Sequence, residues 1–340
     1  MVMTTPGGSA VARVVATLSL VVALSSLVAP LAAVAQPTGK VYRMGVLTGG
    51  SATAPSPPLE AFRQGLREFG WVEGQNIVVE YRFAEGRLDR LPALAAELVR
   101  LKVDVIAAGP TPPAVAAKNA TATIPIVMMG AAEPVELGLI ASLARPGGNV
   151  TGLSWSVNLE LIGKELELLK ETVPKVRRVA ILWNPANPAH AIAVGHLKDA
   201  ARSLGLQLQL LEARGPNDFD GAFAAMAKQR VDALLVVADT IFLVHRARLA
   251  DLEAKYRLPS MHGLRQNVEA GGLMSYGPNT VATWRRAAFF VDRILKGIKP
   301  ADLPVEQPTQ YELVINVKTA RALRLTIPPS LVLRADQVIE

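Results

Sequence analysis

The sequence predicts an α/β fold of two similar lobes, each a parallel sheet covered by helices, and three observations predict it. The first is a set of short unbroken apolar runs, such as residues 44–48 and 179–183. A strand inside a parallel sheet has helices on both faces, so its sequence is continuously apolar rather than alternating. The second is the stretch after each run: a polar loop, Gly49-Gly50-Ser51 or Asn184-Pro185-Ala186-Asn187-Pro188, and then helical periodicity. Open α/β sheets hold their ligands where a strand ends in a loop and a helix starts. The third is an internal echo, in which Gly70 corresponds to Gly205 and Asp104 to Asp232. In both halves the glycine comes after a helix and the aspartate leads a buried strand. Strands alternating with helices imply right-handed crossovers and a parallel sheet. One large doubly wound sheet is the alternative arrangement.

In chain order, residues 42–48 form the first strand and 49–58 a loop rich in small residues and proline. A helix comes next with Leu59, Phe62, Leu66 and Phe69 on one face and Gly70 as its cap. The second strand spans 77–83, and a helix over 88–101 turns Leu91, Leu94 and Leu98 inward. Asp104 leads a third strand, 105–108, ending at Gly109-Pro110-Thr111-Pro112. A third helix leads to a strand over 126–129, the loop 130–134 and a helix to Leu143. The second half starts with the strand 179–183 and a helix that begins near Ala189 and ends at Leu204-Gly205. Next come a strand over 206–212, a helix over 219–228, and Asp232 leading a strand over 233–238. Residues 259–262 and 272–276 are short strands extending the second lobe, and 281–295 is a helix with Trp284, Ala288, Val291 and Leu295 on one side. Pro304 and Pro308 precede a strand over 311–315, a short helix and a proline-containing tail.

Residues 1–35 carry one charge, Arg13, ahead of an uncharged run over 14–34 that closes on Ala33-Val34-Ala35. Small-x-small is the pattern a signal peptidase reads, so the stretch predicts a secretory leader cleaved after Ala35. A retained membrane anchor is the alternative, but Pro30 and the small residues leave a run near the low end of the roughly 20 residues a span needs. The chain has no cysteine, which excludes a lipid-anchored lipoprotein, disulfides and thiolate chemistry. Removing Arg13 takes the net charge from +7 to +6, spread thinly, and aromatic residues are 5% of the chain. A nucleic-acid surface needs a basic stripe with stacking aromatics, so the charge is read as a solubility feature and nucleic acid is not an expected partner.

No G-x-G-x-x-G follows a strand, and neither a G-x-x-x-x-G-K-[ST] loop nor a G-x-S-x-G elbow occurs. The histidines His190, His196, His245 and His262 include no i, i+4 pair, so neither a metal nor a cofactor is expected. What remains is a set of loops at strand C-termini, holding Thr48, Ser51, Thr111, Glu133, Asn184, Asn187, Asp239 and Tyr276. Their hydroxyls and amides, with helix N-termini, suit a carboxylate, and Glu133 and Asp239 suit a cationic amino group. Each of the Ser, Thr, Asn and Asp residues can instead be a helix N-cap.

Several segments also resemble a known family. They are FRQGLREFGWVEGQNIVVEYRFAEG (62–86), SLARPGGNVTGLS (142–154), LWNPANP (182–188), EAGGLMSYGP (269–278) and LPVEQPTQYELVINVKTARAL (303–323). Together they resemble the ABC-transporter substrate-binding proteins often labelled for tryptophan/tyrosine transport, across residues 41–339. The resemblance implies the type I periplasmic-binding fold: two Rossmann-like lobes joined by a three-crossing hinge near Gly152, Gly277 and Val305. Residues 41–152 with 279–305 would form the N-terminal lobe, and 153–278 with 306–340 the C-terminal one. It also places Ser51, Thr111, Asn184, Asp239 and Tyr276 at ligand-contacting positions, while Glu133 stands where relatives usually carry Asp before Pro.

The expected protein is a periplasmic solute-binding component of an ABC importer, working with a permease and an ATPase, as a monomer and without catalysis. It captures an amino acid or related carboxylate, an aromatic one included, by closing its lobes. The alternatives are a sensor component serving a membrane receptor and a secreted enzyme using the same cleft.

Overall fold

A computed structural model describes residue 1 and residues 40–54, 56–155 and 159–340. The leader expected over residues 1–35 lies outside these residues, Met1 apart. The helices are numbered α1 to α12 and the strands β1 to β12 in chain order.

The described chain builds two sheets. The first has five strands in the order β2-β1-β3-β4-β5, all parallel. They are β1 (Tyr42–Thr48), β2 (Ile77–Phe83), β3 (Val105–Gly109), β4 (Ile126–Ala132) and β5 (Val150–Trp155). The second has seven, in the order β12-β11-β10-β9-β8-β6-β7. These are β6 (Arg178–Trp183), β7 (Gln207–Glu212), β8 (Ala233–Val236), β9 (Ser260–His262), β10 (Met274–Pro278), β11 (Tyr311–Asn316) and β12 (Gln337–Ile339). Strands β7-β6-β8-β9-β10 repeat the β2-β1-β3-β4-β5 order, and β11 then joins β10 antiparallel. Two sheets, not one, arise from the apolar runs, as expected.

The echo in the sequence has a physical cause. Asp104 accepts the Arg43 backbone N–H at 2.8 Å, and Asp232 accepts those of Arg177 and Arg178, both at 2.8 Å. Each aspartate thus satisfies the first N–H groups of the neighbouring strand, which lie just before the pairing with β3 or β8 begins. Gly70 and Gly205 end matching helices, and the next residues, Trp71 and Leu206, each bond five residues back, to Leu66 and Ala201.

Helices cover both faces of each sheet. On the first, α2 (Leu91–Arg100) and α3 (Thr111–Ala120) bury Leu91, Leu94, Leu98 and Ala117 on one side. On the other, α1 (Pro57–Glu68) packs beside α10 (Thr280–Leu295), with Phe62, Phe290 and Val291 between them and the sheet. Burying a side chain such as these stabilises by about 1.5–3 kcal/mol. The second sheet holds α4 (Leu159–Thr172) and α5 (Pro188–Leu204) on one face, with Leu166, Leu169 and Leu197 buried. On its other face are α6 (Phe219–Gln229), α7 (Thr240–Val244) and α8 (Arg246–Tyr256), around Phe219, Phe223 and Phe242. The short α9 (Arg265–Glu269), α11 (Val317–Leu323) and α12 (Pro329–Arg334) complete the set.

α10 comes after most of the second sheet in sequence yet packs on the first, so the chain returns. It then leaves again beside β5: Thr151 Oγ1 donates to the Leu303 carbonyl at 2.6 Å, and Glu306 bridges Leu153. Two expectations change. Residues 135–143 form turns rather than a helix, since Gly138 is left-handed at φ 66° and the Ile140 N–H bonds Pro134 six residues back. Gly130, Ala131 and Ala132 belong to β4, which continues past an irregular register at Met129 instead of yielding to a loop. Among the described residues no helix is long and apolar enough to cross a membrane.

Candidate functional site

The C-terminal ends of both sheets border one cavity of about 770 Å³. That volume lies within the range of small-molecule sites, about 300–1,000 Å³. Thr48 and Thr111 line it from the first sheet, Asn187, Asp239 and Tyr276 from the second. Three aromatic residues, Trp155, Tyr276 and Trp284, also border it, each half-buried. Ser51, Glu133 and Asn184 do not line it. Ser51 turns to the Thr53 hydroxyl at 3.2 Å, and Glu133, buried with φ 46°, starts the turn that replaces the expected helix.

The local chemistry departs from a simple ring of helix N-termini. α3 begins Thr111-Pro112-Pro113 and α1 begins Pro57-Pro58, so most of their first-turn N–H groups do not exist. At α5, Asn187 Oδ1 accepts the Ala189 N–H at 3.2 Å, and at α7 Asp239 Oδ1 accepts the Ile241 N–H at 2.8 Å. These donors are already used. Side-chain partners for a ligand carboxylate on the wall are the hydroxyls of Thr48 and Thr111 and the guanidinium of Arg246. Thr111 Oγ1 accepts the Ala132 N–H at 2.8 Å, which leaves its own hydrogen to donate. Arg246 lines the cavity, donates to the Leu243 carbonyl at 3.0 Å and has no ion pair among the described residues.

Asn184, Asn187, His190 and Asp239 form one buried network. Asn187 Nδ2 donates to Asp239 Oδ2 at 2.8 Å, and Asn184 Nδ2 stands 3.4 Å from Oδ1. The Asn184 backbone N–H donates to His190 Nδ1 at 2.9 Å, and His190 Nε2 faces the Ala238 carbonyl at 3.1 Å. A backbone N–H can only donate, so Nδ1 is the bare nitrogen and Nε2 carries the proton. Burial holds the His190 pKa below its ordinary value, against the raising effect of Asp239. The unfolded ring takes up a proton below about pH 6.5, whereas the folded ring would surrender the Asn184 bond. Stability is thus complete above that pH and lost as pH falls, by at most about 1.4 kcal/mol per pH unit from this group. The Tm difference between the wild type and His190→Gln is expected to narrow between pH 7 and pH 5; a constant difference would exclude this role.

Three lining residues carry weak signals in the sequence. Arg246 belongs to a diffuse basic excess, Trp284 to the packing side of a helix, and Glu165 lies in α4, a helix absent from the expected elements. The signal available for α4 is Leu161, Ile162, Glu165, Leu168 and Leu169 at helical spacing, with a carboxyl on the apolar stripe. Among the described residues no group of three or more His, Cys, Asp or Glu could hold a metal ion.

Two α/β halves of matching strand order, with a cavity between their strand ends, define a two-lobed solute-binding protein of the type I periplasmic-binding fold. The chain belongs to the ABC transporter substrate binding protein family, whose sequence pattern matches residues 56–339. Its function is that of the solute-binding component of an ABC transporter, and members of the family act outside the cytoplasm. The chain is 28% identical over 264 residues to a tyrosine-binding protein of Clostridioides difficile, covering 78% of this chain and 75% of that one. It is similar to an ABC domain in complex with L-Trp from Streptococcus pneumonia, at TM-score 0.82 and 27% identity, covering 88% and 99% of the two chains. It is also similar to a ligand-free, open substrate-binding protein with adhesive properties from Clostridium difficile, at TM-score 0.63 and 25% identity, with the same coverages.

Proposed function

We propose that this protein carries an aromatic L-amino acid to its ABC importer, held in the cavity between the two sheets and released intact. The observation that carries this reading is a cavity of about 770 Å³ bordered from both sheets, with Trp155, Tyr276 and Trp284 on its walls. Aromatic rings offer a flat apolar surface for another ring, about 0.5–1.5 kcal/mol beyond area burial for each good pair. Arg246 with the Thr48 and Thr111 hydroxyls would take the carboxylate, the guanidinium as the charged partner. Asn187, Asp239 and Asn184 would act by holding the loops in place, and Tyr276, stacked on Tyr311 at 5.8 Å, by presenting a fixed ring.

The lobes proposed are residues 41–152 with 279–305 and 153–278 with 306–340, β5 running on to Trp155 before the first crossing. Closure results from contacts that a ligand makes to both lobes at once. A higher similarity to the L-Trp complex than to the open protein, at equal coverage, supports reading the present arrangement as the closed one. The leader over 1–35 would direct the chain to the periplasm, where it would act as a monomer.

Thermal shift and calorimetry of the purified protein test the ligand class. L-Trp or L-Tyr at a hundred times its Kd should add about 2.7 kcal/mol, a rise of several degrees in Tm. Stabilisation by leucine or a sugar, with none by aromatic amino acids, would refute the proposed ligand.

A further inference from the structure

We propose that Glu165 receives the ligand's ammonium group, and is thereby the residue that distinguishes an amino acid from the same acid without its amine. This rests on the amino-acid reading above. Glu165 sits on α4 beside Leu161 and Ile162, and all three line the cavity. It is 8% exposed, and its carboxyl lies against Gly263, just past β9. That carboxyl has no hydrogen bond or ion pair among the described residues.

The other carboxyl groups on the cavity wall are committed. Asp239 accepts from Ile241, Asn187 and Asn184, and Glu269 is held by Arg265 at 3.0 Å. Glu133, the second acid expected to meet an amine, is not on the wall. An ammonium entering the cavity therefore meets one uncommitted acid.

A buried carboxyl without a partner is costly in its charged form, so it stays protonated. Burial alone pushes Glu165 up to about 8. Of the titratable groups on the elements packed against α4, His190, His196, Lys198, Asp199 and Arg202 come from α5, His262 from β9 and Tyr276 from β10. His262 is paired with Glu253 at 3.2 Å, and across the cavity stand Asp239 and Arg246. None of these is a source of the shift, which desolvation accounts for. An ammonium at hydrogen-bond distance reverses the balance: it favours the carboxylate, so the glutamic acid gives up its proton to solvent as the ligand binds. A glutamate held for packing alone has no reason to lose it.

The test compares L-tryptophan with indole-3-propionate, and L-tyrosine with 3-(4-hydroxyphenyl)propionate, on the purified wild type and Glu165→Gln. The variant is expected to bind the amino acids at least about 30-fold more weakly, while its affinity for the desamino acids stays within about 2-fold, less than the loss of even a weak hydrogen bond would give. An unchanged preference for the amine overturns the proposal. So does a variant that loses its tyrosine-over-phenylalanine preference instead, because Glu165 would then meet the ring hydroxyl. A second measurement needs no variant. Calorimetry of the wild type near pH 7, in two buffers of different ionisation enthalpy, should count about one proton released with the amino acid and none with the desamino acid. Equal counts overturn the assignment. A wild type that binds the desamino acids alone overturns it while leaving a carboxylate carrier standing; one that binds none of the four overturns the aromatic amino-acid reading as well.

Discussion

Gly152→Ala is expected to cost about 3–5 kcal/mol of stability, or to prevent folding altogether. Gly152 pairs with Met128 inside the first sheet and has φ 120°, a region that L side chains rarely adopt. A Cβ there would stand 2.4 Å from the Met128 carbonyl oxygen and 2.6 Å from its nitrogen. Both are backbone atoms of a strand paired on both sides, so neither can rotate away as a flexible side chain would. The same residue's carbonyl accepts the Glu306 N–H at 3.0 Å, so a displaced β5 would also disturb the chain where it passes towards the second sheet. Gly195→Ala in α5 is the control: its Cβ meets nothing within 4 Å, and alanine favours a helix by about 1 kcal/mol over glycine. Urea denaturation of both variants decides the matter. A loss below about 1 kcal/mol at Gly152 would show that β5 can shift cheaply, contrary to the geometry.

Asp239→Ala should be nearly as damaging, at about 3–5 kcal/mol. The substitution would strand the Ile241 N–H and the Asn187 and Asn184 amides, all buried, and remove the charge beside His190 at 3.5 Å. Each donor left without an acceptor costs about 1–3 kcal/mol. Asp239→Asn keeps an oxygen for the Ile241 cap but turns an amide toward the Asn187 amide, so an intermediate loss is expected. The informative readout is Tm beside affinity. A large fall in Tm, with the remaining folded protein binding ligand within a few-fold of wild type, assigns Asp239 to the scaffold. An unchanged Tm with lost binding would return it to the ligand.

Residue patterns made most of the architecture legible. The apolar runs that became β1, β3, β6 and β8 are buried on both faces by helices, and such strands carry their signal in a few consecutive residues. Asp104 and Asp232 could be matched because each does a local task where a strand of its own sheet begins. The expected helix before Leu143 failed because Gly138, in a left-handed conformation, breaks an apolar face over so short a stretch. The loops of the site were visible as polar breaks after strands, yet their division of labour was not. Thr48, Thr111, Asn187, Asp239 and Tyr276 reach the cavity, whereas Ser51, Glu133 and Asn184 do not.

By itself the sequence determined two parallel-sheet halves, the order of strands and helices within them, and a polar rim at the strand ends. Those features depend on neighbours a few residues apart, or on whether a face is buried, and periodicity records both. Only the tertiary structure decided which polar groups are already spent and which stay open. Asp239 and Glu165 are both buried acids, one saturated by donors from α7 and the loop after β6, the other facing the cavity without a hydrogen bond of its carboxyl among the described residues. Hydrogen bonding between residues fifty positions apart leaves no periodic trace, so the acid that meets the ligand had to be read from where the chain brings its partners.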